Sequence, residues 1–159
     1  MRFYIYTTQK EFEKAEQYYN KAVAAGYEQS NNDDIYVAYL YNETGRKKEA
    51  LEILNNSIKR DKEELLRSQY LTWFSGTYLR LAAAWALLGD NKKALEYLSK
   101  IESARSGLYE TPYKIRTFPG FDKLRNDPEF KAILKRIENE KDSIRAQIIE
   151  MEKRGELDM

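Results

Sequence analysis

Side chains able to do chemistry are restricted in this sequence, because it contains no histidine and no cysteine. It therefore has no Ser-His-Asp triad, no Cys-His pair and no histidine- or thiolate-ligated zinc site. Acid and base catalysis would need paired carboxylates, yet Asp and Glu are scattered along the whole chain. The sequence predicts a protein that is not an enzyme and that has no metal and no cofactor. Carboxylate-based catalysis is the alternative.

The densest acidic cluster is "NNDD" at residues 31–34, directly before the apolar run "IYVAYL". It lacks the spacing of a calcium-binding loop, in which acidic or amide ligands alternate around a glycine. Asn and Asp are favoured residues at the first positions of helices. We therefore interpret the cluster as the start of a helix rather than as a metal site.

Charge and hydropathy exclude several classes of partner. The 159 residues carry 27 Lys and Arg against 26 Asp and Glu, a net charge of +1, so no broad field favours nucleic acid or anionic lipid. No apolar run approaches the roughly 18 residues needed to span a membrane, and the opening "MRFYIYTTQKEFEK" turns polar too early for a signal peptide. We expect one cytoplasmic domain that contacts neither nucleic acid nor membrane.

Two segments of the chain are copies of one sequence unit. Residues 38–54, "AYLYNETGRKKEALEIL", align without a gap with residues 82–98, "AAAWALLGDNKKALEYL". In each copy an apolar helical segment ends at a glycine, Gly45 or Gly89, and a second amphipathic segment follows within three residues. Glycine accepts the left-handed conformation that ends many helices. Each copy is therefore predicted to be a helix, a tight turn and a second helix.

This unit resembles the tetratricopeptide repeat, whose pattern orders a large residue, Leu-Gly, an aromatic, Ala, Phe and Pro. The resemblance implies an all-α fold, a solenoid of antiparallel helix pairs with a long C-terminal capping helix, and a function in protein–protein interaction. The matching positions are Val37 and Leu81 for Leu, Ala38 and Ala82 for Gly, Tyr41 and Trp85 for the aromatic, Ala50 and Ala94 for the second small residue, and Leu54 and Leu98 for Phe.

The repeats depart from the family in length, because Gly45 and Gly89 are 44 residues apart against roughly 34 in the standard repeat. The extra residues fall in "DKEELLRSQYLTWFSG", where Asp61 and Glu64 have capping-box spacing. A helix is predicted to start there and to run toward Leu88, and Ser75-Gly76 could kink it. The apolar residues of this insertion either pack in the core or form an exposed aromatic patch; they are Leu65, Leu66, Leu71, Trp73 and Phe74.

Repeat boundaries follow from these signals. Residues 1–29 are predicted to hold a partial repeat, because "KEFEKAEQYYNKAV" matches a second repeat helix while "FYIYTTQ" before it is short. Full repeats are predicted at 30–61 and 62–107. Residues 108–159 are expected to form a proline-containing linker and the capping helix within the same domain. The shortened first repeat suggests a larger parent protein.

All three prolines lie near the predicted end of the array, at Pro112, Pro119 and Pro128. They would stop the repeat helices, and Asp127 before Pro128 would begin a new helix. The string "PGFDKLRNDPEF", residues 119–130, resembles a terminal element found after tetratricopeptide arrays in bacterial signalling and transcription-regulator proteins. Its apolar residues, which are Phe121, Leu124 and Phe130, would plug the end of the stack. The resemblance also implies that the chain is the C-terminal interaction or sensing region of such a protein.

The resemblance also implies a concave groove lined by the first helix of each repeat, which would take a protein or peptide partner. The helix "YLRLAAAWALLG" is apolar all round, so its groove face is either covered by residues 108–124 or open to a partner. A carboxylate clamp is not expected, because Ile35 and Tyr39 occupy two of its places. The candidate groove residues are Tyr4, Thr7, Thr8, Ile35, Tyr39, Asn42, Glu43, Leu79 and Ala83.

The last predicted helix follows Pro128 and could extend about 40 Å at 1.5 Å per residue. Its apolar residues recur at alternating steps of four and three, a spacing that also suits a coiled-coil seam. The helix is predicted either to pack along its own array or to form a homodimer, which would make the chain a self-association module. The candidate dimer seam is Ile137, Ile144, Ile148 and Met151.

Overall fold

Helices follow one another along the chain in the computed structural model, which describes residues 2–67, 75–101 and 111–156. No strand occurs within those ranges, which confirms the all-α prediction. No helix among them is both long and apolar enough to span a bilayer. In chain order the helices are α1 (Arg2–Thr8), α2 (Phe12–Ala24), α3 (Asn31–Glu43), α4 (Lys47–Arg67), α5 (Ser75–Leu87), α6 (Asn91–Ser99), α7 (Thr111–Thr117), a 3₁₀ helix (Pro119–Leu124) and α8 (Pro128–Lys153).

The first six helices pack as consecutive pairs, α1 with α2, α3 with α4, and α5 with α6. The pairs stack on one another through contacts of α1 and α2 with α3 and of α4 with α5. Gly45 and Gly89 form the turns inside the second and third pairs with φ of +86° and +83°, the left-handed conformation that glycine adopts at least cost. These two turns confirm the helix–turn–helix unit predicted from the sequence.

The small residues of the repeat pattern are buried in the core. Ala38, Ala82 and Ala94 are fully buried, and a methyl side chain lets two helix backbones approach while bulkier neighbours fill the space around it. Leu54 and Leu98 supply that bulk and are buried as well. The repeat register read from the sequence therefore corresponds to the packed face of each pair.

The acidic cluster at residues 31–34 begins a helix, as predicted. α3 starts at Asn31, and the backbone N–H of Ser30 donates to Asp33 Oδ2 at 2.6 Å. Burial raises the pKa of Asp33, an effect partly opposed by this backbone hydrogen bond. The cluster serves the local geometry of the helix start, and no group of metal-ligating side chains occurs among the described residues.

The predicted helix start at Asp61 is wrong, because Asp61 lies inside α4, which runs without a break from Lys47 to Arg67. Its carboxylate does not cap a helix but is buried against Arg80 of α5. Asp61 and Glu64 have the spacing of a capping box, but Asp61 forms an ion pair with Arg80 instead. Leu65 packs against the core and Leu66 is exposed, whereas Leu71, Trp73 and Phe74 lie outside the described residues.

The residues after the repeats form α7, the 3₁₀ helix and α8. Pro128 is the first residue of α8, and the Asp127 side chain accepts hydrogen bonds from the backbone N–H groups of Glu129, at 2.8 Å, and Phe130, at 3.3 Å. Phe121 and Leu124 are buried in the same core as α5. This part of the chain packs on the last helix pair, in agreement with the predicted plug.

Candidate functional site

An apolar cavity of about 250 Å³ lies between α3, α5 and residues 111–124, which we call the covering segment. Its α3 and α5 side corresponds to the face that the sequence assigned to a groove. Its other side comes from the covering segment, so the cavity has walls both from the repeats and from the residues after them. The lining residues are Asn32, Ile35, Tyr36, Gly76, Leu79, Arg80, Ala83, Lys114, Phe118 and Phe121.

The covering segment packs into the groove beside this cavity. The Phe118 ring meets the rings of Tyr36 and Tyr39 edge-on, with centroids 5.2 and 5.9 Å apart, and it contacts Phe121 at 5.6 Å. Ile115 is also buried. Of the two alternatives for the apolar face of α5, the structure therefore shows internal cover, with the cavity as the part left open.

Gly120 marks how closely the covering segment approaches α5. A Cβ atom at this position would lie 2.3 Å from the Phe118 ring and 3.0 Å from Leu87 Cδ2. Both distances are shorter than ordinary contacts, so any side chain would displace the Phe118 ring within the segment and crowd Leu87 of α5. Glycine is thus required here by space rather than by backbone conformation.

Arg80 connects the rim of the cavity to an ionic network in which Asp61 is buried and Glu64 is exposed. Its guanidinium donates to both carboxylate oxygens of Asp61, at 3.0 Å each, and to Glu64 at 2.9 Å. It also reaches Asn32 Oδ1 at 3.4 Å. Burial raises the pKa of Asp61, while the hydrogen bonds from Arg80 oppose that rise. The rim is therefore polar and held in place by paired charges, while the floor is apolar.

The covering segment is tied to the first helix pair by one exposed ion pair. Lys10 Nζ lies 2.8 Å from Asp122 Oδ2, and Asp122 also accepts from Arg125 Nε at 2.8 Å. Burial alone would raise the pKa of Asp122, but the hydrogen bonds from Lys10 and Arg125 together lower it. The contact joins residues 112 positions apart in sequence.

Three of the predicted groove residues come together at the cavity, namely Ile35, Leu79 and Ala83. Tyr39 is buried between Phe12 and Phe118 instead. Burial raises the pKa of its hydroxyl to about 12, with Glu43 and Asp122 acting in the same direction. Tyr39 is thus part of the wall behind the groove.

The remaining predicted groove residues do not line the cavity. Thr7 requires a correction, because its side chain is fully buried and donates to the Phe3 carbonyl oxygen at 2.8 Å. Tyr4 packs edge-on against Tyr36. The other three are satisfied locally or point to solvent: Thr8 donates to the Ile5 carbonyl, Asn42 donates to Glu43, and Glu43 is exposed.

Sequence reasoning missed several lining residues for two reasons. Asn32 and Arg80 belong to the repeat helices but lie outside the positions that the repeat register assigned to the groove. Arg80 could have been found as the single charged residue within "YLRLAAAWALL". Lys114, Phe118 and Phe121 come from outside the repeats, where the repeat register gives no position relative to the groove.

The four residues of the candidate dimer seam differ in how far they are buried. Ile137 is fully buried against the chain's own core, which removes it from any seam. Ile144 and Met151 are half-buried and Ile148 is 40% exposed. A dimer contact through this seam would therefore begin after Ile137.

A family model gives an independent comparison for the first helix pair. Residues 4–25 match the model described as tetratricopeptide repeat. This stretch spans most of α1 and α2, the pair that the sequence analysis interpreted as a partial repeat with a short first helix. No curated protein and no solved structure matched the chain.

Proposed function

We propose, on the premise that the chain belongs to the tetratricopeptide-repeat superfamily, that it is a protein-interaction module whose partner binds at the open cavity of the groove. Such repeats mediate contacts between proteins and are typically not enzymes. The cavity carries this proposal because it combines an apolar floor with a polar rim, the composition of sites that fix a bound group in one orientation.

The cavity favours a partner that inserts one bulky apolar side chain. Its volume of about 250 Å³ lies just below the range of ligand pockets, which commonly measure roughly 300–1,000 Å³. Leu79 and Ala83 would contact the inserted group, while the Asn32 amide at the rim is placed to bond to the partner's backbone. A peptide or a surface helix of a protein could supply such a side chain.

The test compares one charge placed inside the cavity with the same charge placed outside it. Leu79→Glu puts a carboxylate at the floor, and Leu51→Glu puts one on the exposed face of α4. Affinity capture from lysate of the source organism, followed by mass spectrometry, should recover a partner with the intact chain and Leu51→Glu but lose it with Leu79→Glu. Circular dichroism must show that both variants fold. Recovery of the same partner by Leu79→Glu would exclude the cavity as its site.

We further propose that the chain is the C-terminal region of a larger bacterial regulatory protein, such as a transcription regulator, in the cytoplasm. The support is the resemblance of residues 119–130 to the terminal element of those proteins. An antibody raised against this chain should detect a polypeptide well above 18.8 kDa in the source cells. A single band at the mass of the chain itself would contradict the proposal.

Self-association is a second candidate, favoured by the exposed end of α8. Ile148 and Ile149 are both 40% exposed there, beyond the buried Ile137. A homodimer through Ile144, Ile148 and Met151 would cover part of this surface. Sedimentation analysis should then give a mass that rises with concentration and that returns to the monomer in Ile144→Asp/Ile148→Asp. A mass independent of concentration in the intact chain would eliminate this candidate.

A further inference from the structure

The outer face of the first helix pair carries stacked tyrosines surrounded by cations. Tyr6 of α1 and Tyr18 of α2 stack with centroids 5.1 Å apart and an angle of 17° between the rings. Lys14 lies 5.5 Å above the Tyr6 ring, and Arg2 and Lys21 each lie 5.6 Å above the Tyr18 ring. We call this surface, together with Ile5, the aromatic end face.

This face lies on the side of α1 and α2 that is turned away from the buried residues of the pair. On α2 the residues that pack inward are Ala15 and Tyr19, and at about 100° per residue Lys14 and Lys21 lie on another side of the helix. On α1 the inward residues are Phe3 and Thr7. Ile5 of this face is 54% exposed, so the face presents apolar surface beside its charges.

The aromatic end face has an excess of positive charge that the chain as a whole does not have. Glu11 pairs with Lys14, and Glu16 pairs with Arg46 on the far side of α2. Within the described part of the chain no carboxylate forms an ion pair with Arg2 or Lys21. Arg2 donates one hydrogen bond to the Tyr18 hydroxyl at 3.2 Å, and a guanidinium has four further N–H donors.

We infer that the aromatic end face binds an acidic segment of a partner protein, whose carboxylates pair with Arg2 and Lys21 while an apolar side chain packs on Ile5 and the tyrosine rings. The charge is too small for other anionic partners. Duplex nucleic acid is typically held by about six to ten phosphate contacts, and anionic membranes are recognised by clusters of roughly four to eight basic residues. Two cations without a carboxylate partner among the described residues, Arg2 and Lys21, beside two stacked rings match a short acidic peptide with an apolar anchor.

The binding test uses a defined probe. A short labelled peptide of Asp, Ser and Trp is titrated with the whole chain in a fluorescence anisotropy experiment, beside a peptide with Lys in place of each Asp. The acidic peptide should bind and the basic one should not, and binding should weaken as salt is added because exposed charges are screened. Failure of the acidic peptide to bind, or equal binding of the two peptides, would overturn the inference.

Matched charge reversals locate the site. Arg2→Glu/Lys21→Glu should weaken binding of the acidic peptide by at least about tenfold, since two attractive pairs become repulsive. The control Lys48→Glu/Lys59→Glu makes the same change in net charge on the exposed side of α4 and should bind as the intact chain does. The milder Arg2→Gln/Lys21→Gln should lie between them, which keeps the test valid if the reversal variant unfolds. Equal binding by all three variants would refute the assignment.

The aromatic end face can be tested separately from the groove and from dimerisation. Leu79→Glu, which tests the groove, should bind the acidic peptide unchanged, so the groove proposal and this one can fail independently. If the intact chain dimerises and Arg2→Glu/Lys21→Glu abolishes the dimer, the occupant of the aromatic end face is a second copy, and the inference of an acidic partner is wrong.

Discussion

The two halves of α8 carry the same apolar spacing and have different surroundings. In the first half Phe130, Ile133 and Ile137 are buried in the core. In the second half Ile148 and Ile149 are exposed, although Ile148 belongs to the same series of alternating steps of four and three as Ile137. The difference teaches that a periodic stripe identifies a face of a helix, while the neighbouring elements decide whether that face is core or surface.

The covering segment explains why the first half is buried. Phe121 contacts Phe130, with centroids 5.9 Å apart, and α8 also packs on α6 and α7. Arg136 of α8 donates to the carbonyl oxygens of Ser99, at 3.1 Å, and Ile101, at 2.9 Å, at the end of α6. These contacts involve the part of α8 up to about Glu138, and beyond it the helix exposes its apolar residues.

The largest effect is expected from truncating the centre of this core. Phe121→Ala should lower the free energy of unfolding by about 4 kcal/mol, because a fully buried aromatic side chain is replaced by a cavity. Urea unfolding followed by circular dichroism measures the change. A loss below about 1 kcal/mol would mean that the covering segment is not part of the core, and the contrast between the halves of α8 would lose its explanation.

A matched pair on α8 tests the comparison directly. Ile137→Ala should cost about 3 kcal/mol as a buried truncation, whereas Ile148→Ala should change the free energy of unfolding by less than about 0.5 kcal/mol as a surface substitution. The same urea titration serves both variants, at a protein concentration where the chain is monomeric. Similar losses at the two positions would show that the second half of α8 is also packed.

Close packing of the covering segment is tested at Gly120. Gly120→Ala should cost about 2 kcal/mol, because the new methyl group would collide with Phe118 and Leu87. Gly76→Ala in α5 is the control: its Cβ would meet only Arg80 Nη1 at 3.8 Å, and alanine in a helix should be neutral or stabilising by up to about 1 kcal/mol. Thermal unfolding of the two variants gives the difference, and a neutral Gly120→Ala would indicate a looser segment.

The smallest effect is expected at the ion pair between Lys10 and Asp122. Asp122→Asn should cost about 0.5 kcal/mol at neutral pH, because both side chains are substantially exposed. The pKa of Asp122 is lowered in the folded chain, so its contribution is complete above the ordinary value of 3.8 and is lost as the pH falls through the lower folded value. Unfolding at neutral and acidic pH measures this. A difference that grows in acid would contradict the sign of the shift.

Local signals in the sequence predicted the repeats well. Gly45 and Gly89 end their helices in the conformation that few other residues adopt, and Asp127 with Pro128 begins α8 through contacts within three residues. Such features depend on neighbouring residues alone, so the sequence contains all the information needed. The same holds for the start of α3 at Asn31.

Long-range packing was the part that the sequence could not supply. Asp61 has the spacing of a helix cap, and only the position of Arg80, 19 residues away, shows that it is a buried partner instead. Phe118 enters the groove from outside the repeats, and no periodicity relates it to Tyr39. The sequence indicated residues 108–124 as a possible cover of the groove but not the side chains that line the site. Asn32 and Arg80 were therefore missed on its repeat side and Phe118 on its covering side.

The position of α8 limits how the array can be extended. A further helix pair inserted after α6 would need the surface that α8 and the 3₁₀ helix already occupy, including the carbonyl groups that Arg136 binds. Such an insertion would have to expel a segment whose apolar residues are core. A longer array would therefore need its added pair to present to this segment the same apolar surface and free carbonyl groups that the end of α6 presents here.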